Sequence, residues 1–181
     1  SNDGFVVDSL VRLKKDGIIK MIGVSTYSPQ DVNDFLNISQ FDTIEIPVNI
    51  FDTRLIKNGL IQKLNEFNKT IFARSIFLQG LFFLSTNELP TNLESAKPEL
   101  DKLQKLSNQF HISIPDIAFG FVHQIDEISS IILGVENSLQ LNYNLQQLKS
   151  EPLSDELLKL LDNNFSNISE KLINPTNWKS M

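Results

Sequence analysis

Hydrophobic and polar positions alternate along the chain in an order that predicts helices and strands in turn. An amphipathic stretch at 5–15 predicts a first helix, which Gly17 ends. Short apolar runs bounded by turn residues predict buried strands at 18–25, 43–47, 70–74 and 129–133. Apolar residues at helical spacing predict further helices at 28–36, 55–67, 98–110, 115–123, 138–148 and 154–165.

Signals at the helix starts support these assignments. Ser28, Pro29 and Asp31 have the order of a capping box with proline at the first helical position. Ser113 and Asp116 predict a second capping box. The polar stretch 85–97 is long for a simple connection, so it is a candidate functional loop.

Strands separated by helices must run parallel, with right-handed crossovers. The order therefore predicts an α/β fold, either a doubly wound open sheet or part of a closed barrel, and both require near-continuous apolar strands. The 181 residues, 41% hydrophobic, predict a single domain, 1–181, with its own core. A complete eight-unit barrel needs about 250 residues. Since the chain starts with Ser1 and enters a helical pattern almost at once, we expect that an upstream segment has been removed or cut away.

Composition argues against several classes of function. A formal net charge of −6 argues against nucleic-acid binding, and the lack of cysteine excludes disulfides and thiolate metal sites. His111 and His123 are too few for a histidine-rich metal cluster, and both are interpreted as residues at helix ends. No run approaches the ~20 apolar residues of a membrane span, and 1–4 does not resemble a signal peptide. A cytoplasmic protein without metal or membrane partner is expected.

In either architecture, ligands bind at the carboxyl ends of the strands. The residues that follow the predicted strands are mostly polar, with one cation. They are Ser25, Thr26 and Tyr27, then Asn49, then Arg74, Ser75, Gln79 and Gly80, then Gly134, Val135, Glu136 and Asn137. No histidine lies near these ends, so a nucleophile–base pair cannot be built there, and no catalytic residue is predicted.

Two of these positions have two interpretations each. Glu45, inside an apolar strand, is either an acid–base group or a carboxylate paired with Arg74 or a backbone amide. Gly134, ahead of the helix at Ser138, either admits a phosphate to backbone amides or forms a simple turn. Neither GxGxxG nor GxxxxGK[ST] occurs, so the common nucleotide-binding motifs are missing.

Four segments of the chain match a known set of motifs. LKKDGIIKMIGVST resembles LKKxGKIRxIGVSN, and EIPVNIFD resembles QxxYNLLD. FARSIFLQGL resembles xAYSPLxxGLL, and ILGVENSLQLNYNL resembles IxGxxxxxQLxxNL. In this order and spacing, the four segments resemble the C-terminal half of an aldo/keto reductase. The resemblance implies a partial TIM barrel of about four parallel β/α units, and an exposed half-barrel face through which two copies could close as a homodimer.

The resemblance also implies a cofactor, NADP or NAD, and hydride transfer to a small-molecule carbonyl (an aldehyde, ketone or sugar) by the full-length protein. The implied cofactor-binding residues fall into three groups. Ser25, Thr26, Glu45 and Arg74 would contact the nicotinamide; Ser75, Phe77 and Gln79 the pyrophosphate; Gly134, Glu136, Asn137, Gln140 and Asn144 the adenosine. The alternative is a non-catalytic nucleotide-binding or protein-interaction module.

The sequence departs from the family pattern at the nicotinamide positions. Thr26 replaces asparagine, Glu45 replaces glutamine, and Arg74 replaces the stacking aromatic residue, which suggests a compensating Glu45–Arg74 ion pair. Glu136 would repel a 2′-phosphate. The family's catalytic Asp, Tyr, Lys and His come from the first four strands, and no residue here takes the role of that tyrosine.

Overall fold

Four parallel strands form one sheet in the computed structural model, which describes residues 3–178. The strands are β1 (Gly23–Ser25), β2 (Thr43–Pro47), β3 (Thr70–Arg74) and β4 (Ser130–Ile131). The helices are α1 (Asp3–Lys15), α2 (Pro29–Leu36), α3 (Arg54–Lys57), α4 (Leu60–Glu66), α5 (Lys97–Phe110), α6 (Ile114–His123), α7 (Ser138–Gln147), α8 (Asp155–Phe165) and α9 (Glu170–Ile173). The expectation that a segment upstream of Ser1 was removed or cut away concerns residues outside this described range.

The strand order decides between the two predicted architectures. The strands are neighbours in the order β1-β2-β3-β4, and every pairing is parallel. A doubly wound sheet reverses its strand order at a switch point, whereas a barrel adds each new strand on the same side. The consecutive order is that of a partial TIM barrel, which confirms the predicted fold class.

The two faces of the sheet have different environments. Ile44, Ile46, Ile71 and Ala73 are fully buried on one face, against a core supplied by α2, α4 and α6. The other face would point into a barrel, and apart from the buried Pro47 its side chains are half-buried or exposed. Register places Ser25, Glu45 and Phe72 side by side there. Period-two alternation of the strands therefore puts the polar residues on the open face.

The prediction that all strands are buried was wrong for the two edge strands. The first strand covers Gly23–Ser25 rather than 18–25, because only these residues lie opposite β2. Its Val24 is 40% exposed. The fourth strand shrinks from 129–133 to Ser130–Ile131. An edge strand has only one neighbouring strand. Its length is therefore set by how many of its residues pair with that neighbour, and not by the length of its apolar sequence.

Helix boundaries follow local signals closely. Ser28 and Asp31 form the predicted capping box, and Ser113 accepts from the Asp116 backbone N–H. The single helix predicted at 55–67 is instead two, α3 and α4, since Gly59 adopts a left-handed φ of 66° between them. Among the described residues, no helix is long and apolar enough to cross a membrane.

A second core lies beside the sheet and is built by helices α5, α6, α8 and α9. Phe51 links it to the strand-end loops through aromatic contacts with Phe82 and Phe165, at centroid distances of 5.0 and 5.1 Å. The predicted functional loop, 85–97, belongs to this core, because Leu93 and Ala96 are buried in it. The loop therefore packs as a structural connection away from the strand-end cleft.

Candidate functional site

The carboxyl ends of β2, β3 and β4 open into a cleft of 960 Å³. This volume is near the upper end of the roughly 300–1,000 Å³ of ligand pockets. Most of the predicted cofactor residues line it: Glu45, Arg74, Ser75, Phe77, Gln79, Gly134, Glu136, Gln140 and Asn144. Apolar residues that the sequence analysis did not single out complete the walls, namely Ile76, Phe83, Ile132, Leu133 and Leu139.

One end of the cleft is a polar network around Arg74, called here the Arg74 cluster. The Arg74 Nε lies 3.1 Å from Glu45 Oε1, which confirms the predicted ion pair. Arg74 also donates to Ser75 Oγ at 3.1 Å and to the Thr26 carbonyl at 2.7 Å. Ser25 donates to Glu45 Oε1 at 3.0 Å. Ser25 and Thr26 thus reach the site through Arg74 and Glu45 rather than by lining the cleft.

The Arg74 guanidinium also lies over an aromatic ring. Its Cζ is 4.4 Å from the centroid of Tyr27, within range of a cation–π contact. The guanidinium is therefore held on one face by the Tyr27 ring and at its edges by Glu45, Ser75 and the Thr26 carbonyl. This arrangement favours the paired-carboxylate interpretation of Glu45, because Arg74 and Ser25 both contact its Oε1.

The loop after β3 has an unusual backbone. Ser75, Leu78 and Gln79 have φ values of 59°, 46° and 54°, which side-chain-bearing residues rarely adopt, and Gly80 follows at 85°. Such conformations persist only when the surroundings impose them, and they concentrate at ligand sites. The loop residues Ser75, Gln79 and Gly80 all line the cleft.

Asn49, predicted only as a polar residue after the second strand, supports this loop. It is 1% exposed, and its Nδ2 donates to the Ser75 carbonyl at 3.2 Å. Its Oδ1 accepts from the backbone N–H groups of Phe51 and Asp52, at 2.9 and 3.0 Å. The side chain thereby ties the segment after β2 to the segment after β3. The position of Asn49 just beyond a predicted strand was the available signal.

The other end of the cleft is formed by the start of α7. Asn137 caps this helix, since its Oδ1 accepts from the backbone N–H groups of Leu139 and Gln140, both at 3.0 Å. The Gln140 Oε1 accepts from the Glu136 N–H at 2.8 Å. These amides are already satisfied within the chain, so the structure favours the simple-turn interpretation of Gly134 over phosphate binding.

Tyr143 is the cleft tyrosine, and it is engaged elsewhere. Its hydroxyl donates to the Asp116 carboxylate, which joins α7 to α6. Burial and the hydrogen bond to Asp116 raise the pKa of Tyr143 to about 12. A phenol held so firmly in its protonated form by a carboxylate is not available as a proton donor for a substrate.

The two histidines lie outside the cleft, as residues at helix ends. His111 follows α5 with a left-handed φ of 56°, and His123 ends α6 with its ring stacked on Phe119 at 5.4 Å. Within residues 3–178, no group of three or more His, Asp or Glu side chains could hold a metal ion.

A consecutively wound parallel sheet with a cleft at its carboxyl ends defines a class, the β/α-barrel proteins that bind ligands at that face. The profile of the Aldo/keto reductase family matches residues 5–164. The chain therefore belongs to the aldo/keto reductase family, which confirms the resemblance found in its motifs.

Individual relatives agree with this assignment. An uncharacterised oxidoreductase of Bacillus subtilis, YqkF, is 23% identical over 166 residues, covering 86% of this chain and 53% of that protein. The apo structure of the aldo-keto reductase AKR11C1 from Bacillus halodurans superposes with a TM-score of 0.73 at 20% identity, covering 93% of this chain and 59% of that one.

The glycerol dehydrogenase AKR11B4 of Gluconobacter oxydans gives a TM-score of 0.66 at 21% identity, covering 97% of this chain and 57% of that one. The chain thus spans little more than half the length of the proteins it matches.

Proposed function

We propose that this chain forms the dinucleotide-holding half of an aldo/keto reductase barrel, units five to eight, and that the whole protein transfers hydride between a nicotinamide cofactor and a carbonyl substrate. The substrate class is an aldehyde, ketone or sugar. The observation that supports this most directly is the cleft, which gathers predicted residues from three separate strand ends.

The cleft has the volume for a dinucleotide and presents polar side chains at both of its ends. At the loop after β3, the N–H groups of Leu78 and Gly80 already donate to the carbonyls of Ser75 and Phe77. The Ser75 hydroxyl and the Gln79 side chain are therefore the proposed donors to a pyrophosphate. The Arg74 cluster would hold the nicotinamide, which supplies the hydride when bound, and Glu136 and Asn144 would border the adenosine.

The proton for the reaction is proposed to come from outside this chain. Reduction of a carbonyl adds hydride to carbon and a proton to oxygen, so an acid must lie beside that oxygen. Among the described cleft residues, Tyr143 donates to Asp116 and Glu45 is paired with Arg74. We therefore assign to this half the binding and orientation of the cofactor, and to the complementary half the proton transfer.

A cleft-filling variant tests the binding proposal. Gly134 lines the cleft, and a Cβ added there meets nothing within 4 Å, so Gly134→Phe adds a ring at the cleft wall without a clash at its Cβ. Gly4→Phe is the matched control, because Gly4 has equally free surroundings but lies in α1, outside the cleft. In a titration followed by nicotinamide fluorescence, the parent chain and Gly4→Phe should bind NADH, and Gly134→Phe should bind at least roughly tenfold more weakly. Equal binding by all three would contradict the proposal.

A second candidate, an interaction module that pairs with its own copy, is favoured by the exposed apolar residues at both sheet edges. Met21 and Val24 lie exposed at the β1 side, and Ile132 and Leu145 at the β4 side. In a two-fold pair, β4 of one copy would lie beside β1 of the other and close a barrel. Sedimentation at micromolar concentration should then show a dimer that Val24→Asp dissociates. A compact monomer would exclude this candidate.

A further inference from the structure

The cleft carries little positive charge for a ligand with several phosphates. Among the described residues that line it, the charged groups are Glu45, Arg74 and Glu136. The single cation, Arg74, is paired with Glu45 and has its other contacts with Ser75 and Thr26. The remaining charge of the lining is the Glu136 carboxylate, which is exposed.

The start of α7 offers no compensating donors at the amides whose bonds are described. The N–H groups of Leu139 and Gln140 are taken by the Asn137 side chain, and that of Glu136 by the Gln140 side chain. A helix start attracts phosphate through free N–H groups. Here the chain satisfies three of them itself and places a carboxylate beside them.

From these contacts we infer that the cleft selects a dinucleotide whose adenosine ribose carries free hydroxyls, NAD(H), over one with a 2′-phosphate, NADP(H), and that Glu136 determines this selectivity. The inference rests on the proposed function. A 2′-phosphate adds about −1.5 to −2 charges, which would meet Glu136 and no unpaired cation of the described cleft. A ribose hydroxyl can instead donate a hydrogen bond to that carboxylate.

The pyrophosphate does not distinguish the two cofactors, because both contain it. Its proposed place is the loop after β3, where the Ser75 hydroxyl and the Gln79 side-chain amide, rather than side-chain cations, would supply the donors. The difference between NADH and NADPH is therefore confined to the surroundings of the 2′ position, and the Glu136 carboxylate is the charged group that α7 and its preceding loop present to the cleft.

The test is a fluorescence titration of the 181-residue chain with NADH and with NADPH. The parent chain should bind NADH more tightly by on the order of tenfold, the effect of a charged group facing a like charge. Glu136→Lys should remove or reverse the preference for NADH, chiefly by strengthening NADPH binding. Glu136→Gln should reduce the preference, because NADH should bind more weakly and NADPH slightly more tightly. Glu151→Lys changes the net charge equally at an exposed site outside the cleft, and should leave the ratio unchanged.

The outcomes separate this inference from the proposed function. If neither cofactor binds, the proposed function fails, and this inference with it. If both bind but the parent chain favours NADPH or shows no preference, the selectivity inference alone is wrong. If Glu136→Lys and Glu151→Lys shift the ratio equally, the effect is one of net charge, and the role of Glu136 is refuted.

Discussion

The two ends of the cleft are built in different ways. At the Arg74 end, groups from the ends of β1, β2 and β3 hold one another, and Arg74 is only 17% exposed on its side chain. At the α7 end, the helix start satisfies its own amides, and the helix joins the body through Tyr143 and Asp116. Leu139, which lines the cleft at this end, is 78% exposed.

The difference shows which part of the site is shaped before any ligand binds. An interlocked polar network fixes side-chain geometry, and its members depend on each other. A helix that caps itself and leaves apolar side chains exposed has few contacts that fix those side chains before a ligand or partner covers them. We therefore expect substitutions at the Arg74 end to change stability strongly, and most substitutions on the outer face of α7 to change it little.

The largest effect is expected from Gly23→Ala, which would disturb β1, the strand that ends at Ser25 and leads into Thr26. A Cβ at Gly23 would lie 2.1 Å from the Thr43 carbonyl oxygen, so β1 must move away from β2. The free energy of unfolding should fall by about 2 kcal/mol or more, measured by urea denaturation. Gly134→Ala at the α7 end is the control, with open space around its Cβ and an expected change below about 0.5 kcal/mol. Equal losses of unfolding free energy in Gly23→Ala and Gly134→Ala would contradict the difference between the two ends of the cleft.

Arg74→Met should have the next largest effect. The change leaves Glu45 without its cation, and Glu45 is 34% exposed, so the loss is smaller than for a fully buried pair, about 1–2 kcal/mol. Glu45→Gln combined with Arg74→Met should cost less than the sum of the two single changes, because it removes both charges. Strict additivity in this double-mutant cycle would show that the pair is not coupled.

Tyr143→Phe tests the attachment of α7. Loss of the hydrogen bond to Asp116 should lower the free energy of unfolding by about 1 kcal/mol. Since the pKa of Tyr143 is raised from 10.0 to about 12, its contribution is complete below pH 10.0 and is lost as the pH rises towards 12. The variant should therefore lose less stability than the parent across that alkaline range. Parallel pH profiles would argue against the Asp116 contact.

The smallest effect is expected from Leu139→Ser on the exposed face of α7. With its side chain in solvent, the change in unfolding free energy should stay within about 0.5 kcal/mol. The matched substitution at a fully buried leucine, Leu157→Ser in α8, should cost several kcal/mol. If Leu139→Ser proves as costly, the α7 face is covered in solution, which would support pairing of two chains.

Features set by near neighbours could be predicted from the sequence. The Ser28–Asp31 capping box lies within four residues, and its residue types suffice to specify it. The Glu45–Arg74 ion pair was predictable because the two side chains lie on the same face of adjacent parallel strands, two residues apart in register. The family motifs placed most of the cleft residues in the same way, by their position after each strand.

Features set by distant partners could not be predicted. The extent of β1 depends on how far β2 runs beside it, and residues 18–22 do not signal that they lack a partner. The Asn49–Ser75 and Tyr143–Asp116 bonds join residues more than twenty positions apart, without a local pattern that specifies the pairing. Gly59 was a local indication of a helix break, but the apolar residues at helical spacing over 55–67 predicted one continuous helix.

The central claim is that this chain binds a dinucleotide in the strand-end cleft. Its most direct test is a two-dimensional NMR map of the backbone amide shifts in the 181-residue chain when NADH is added. We expect shifts to concentrate in residues 74–80 and 134–144, the two ends of the cleft, while the amides of α1 and α9 stay unchanged. The absence of any shift at millimolar NADH, or shifts confined to surfaces away from both segments, would contradict it.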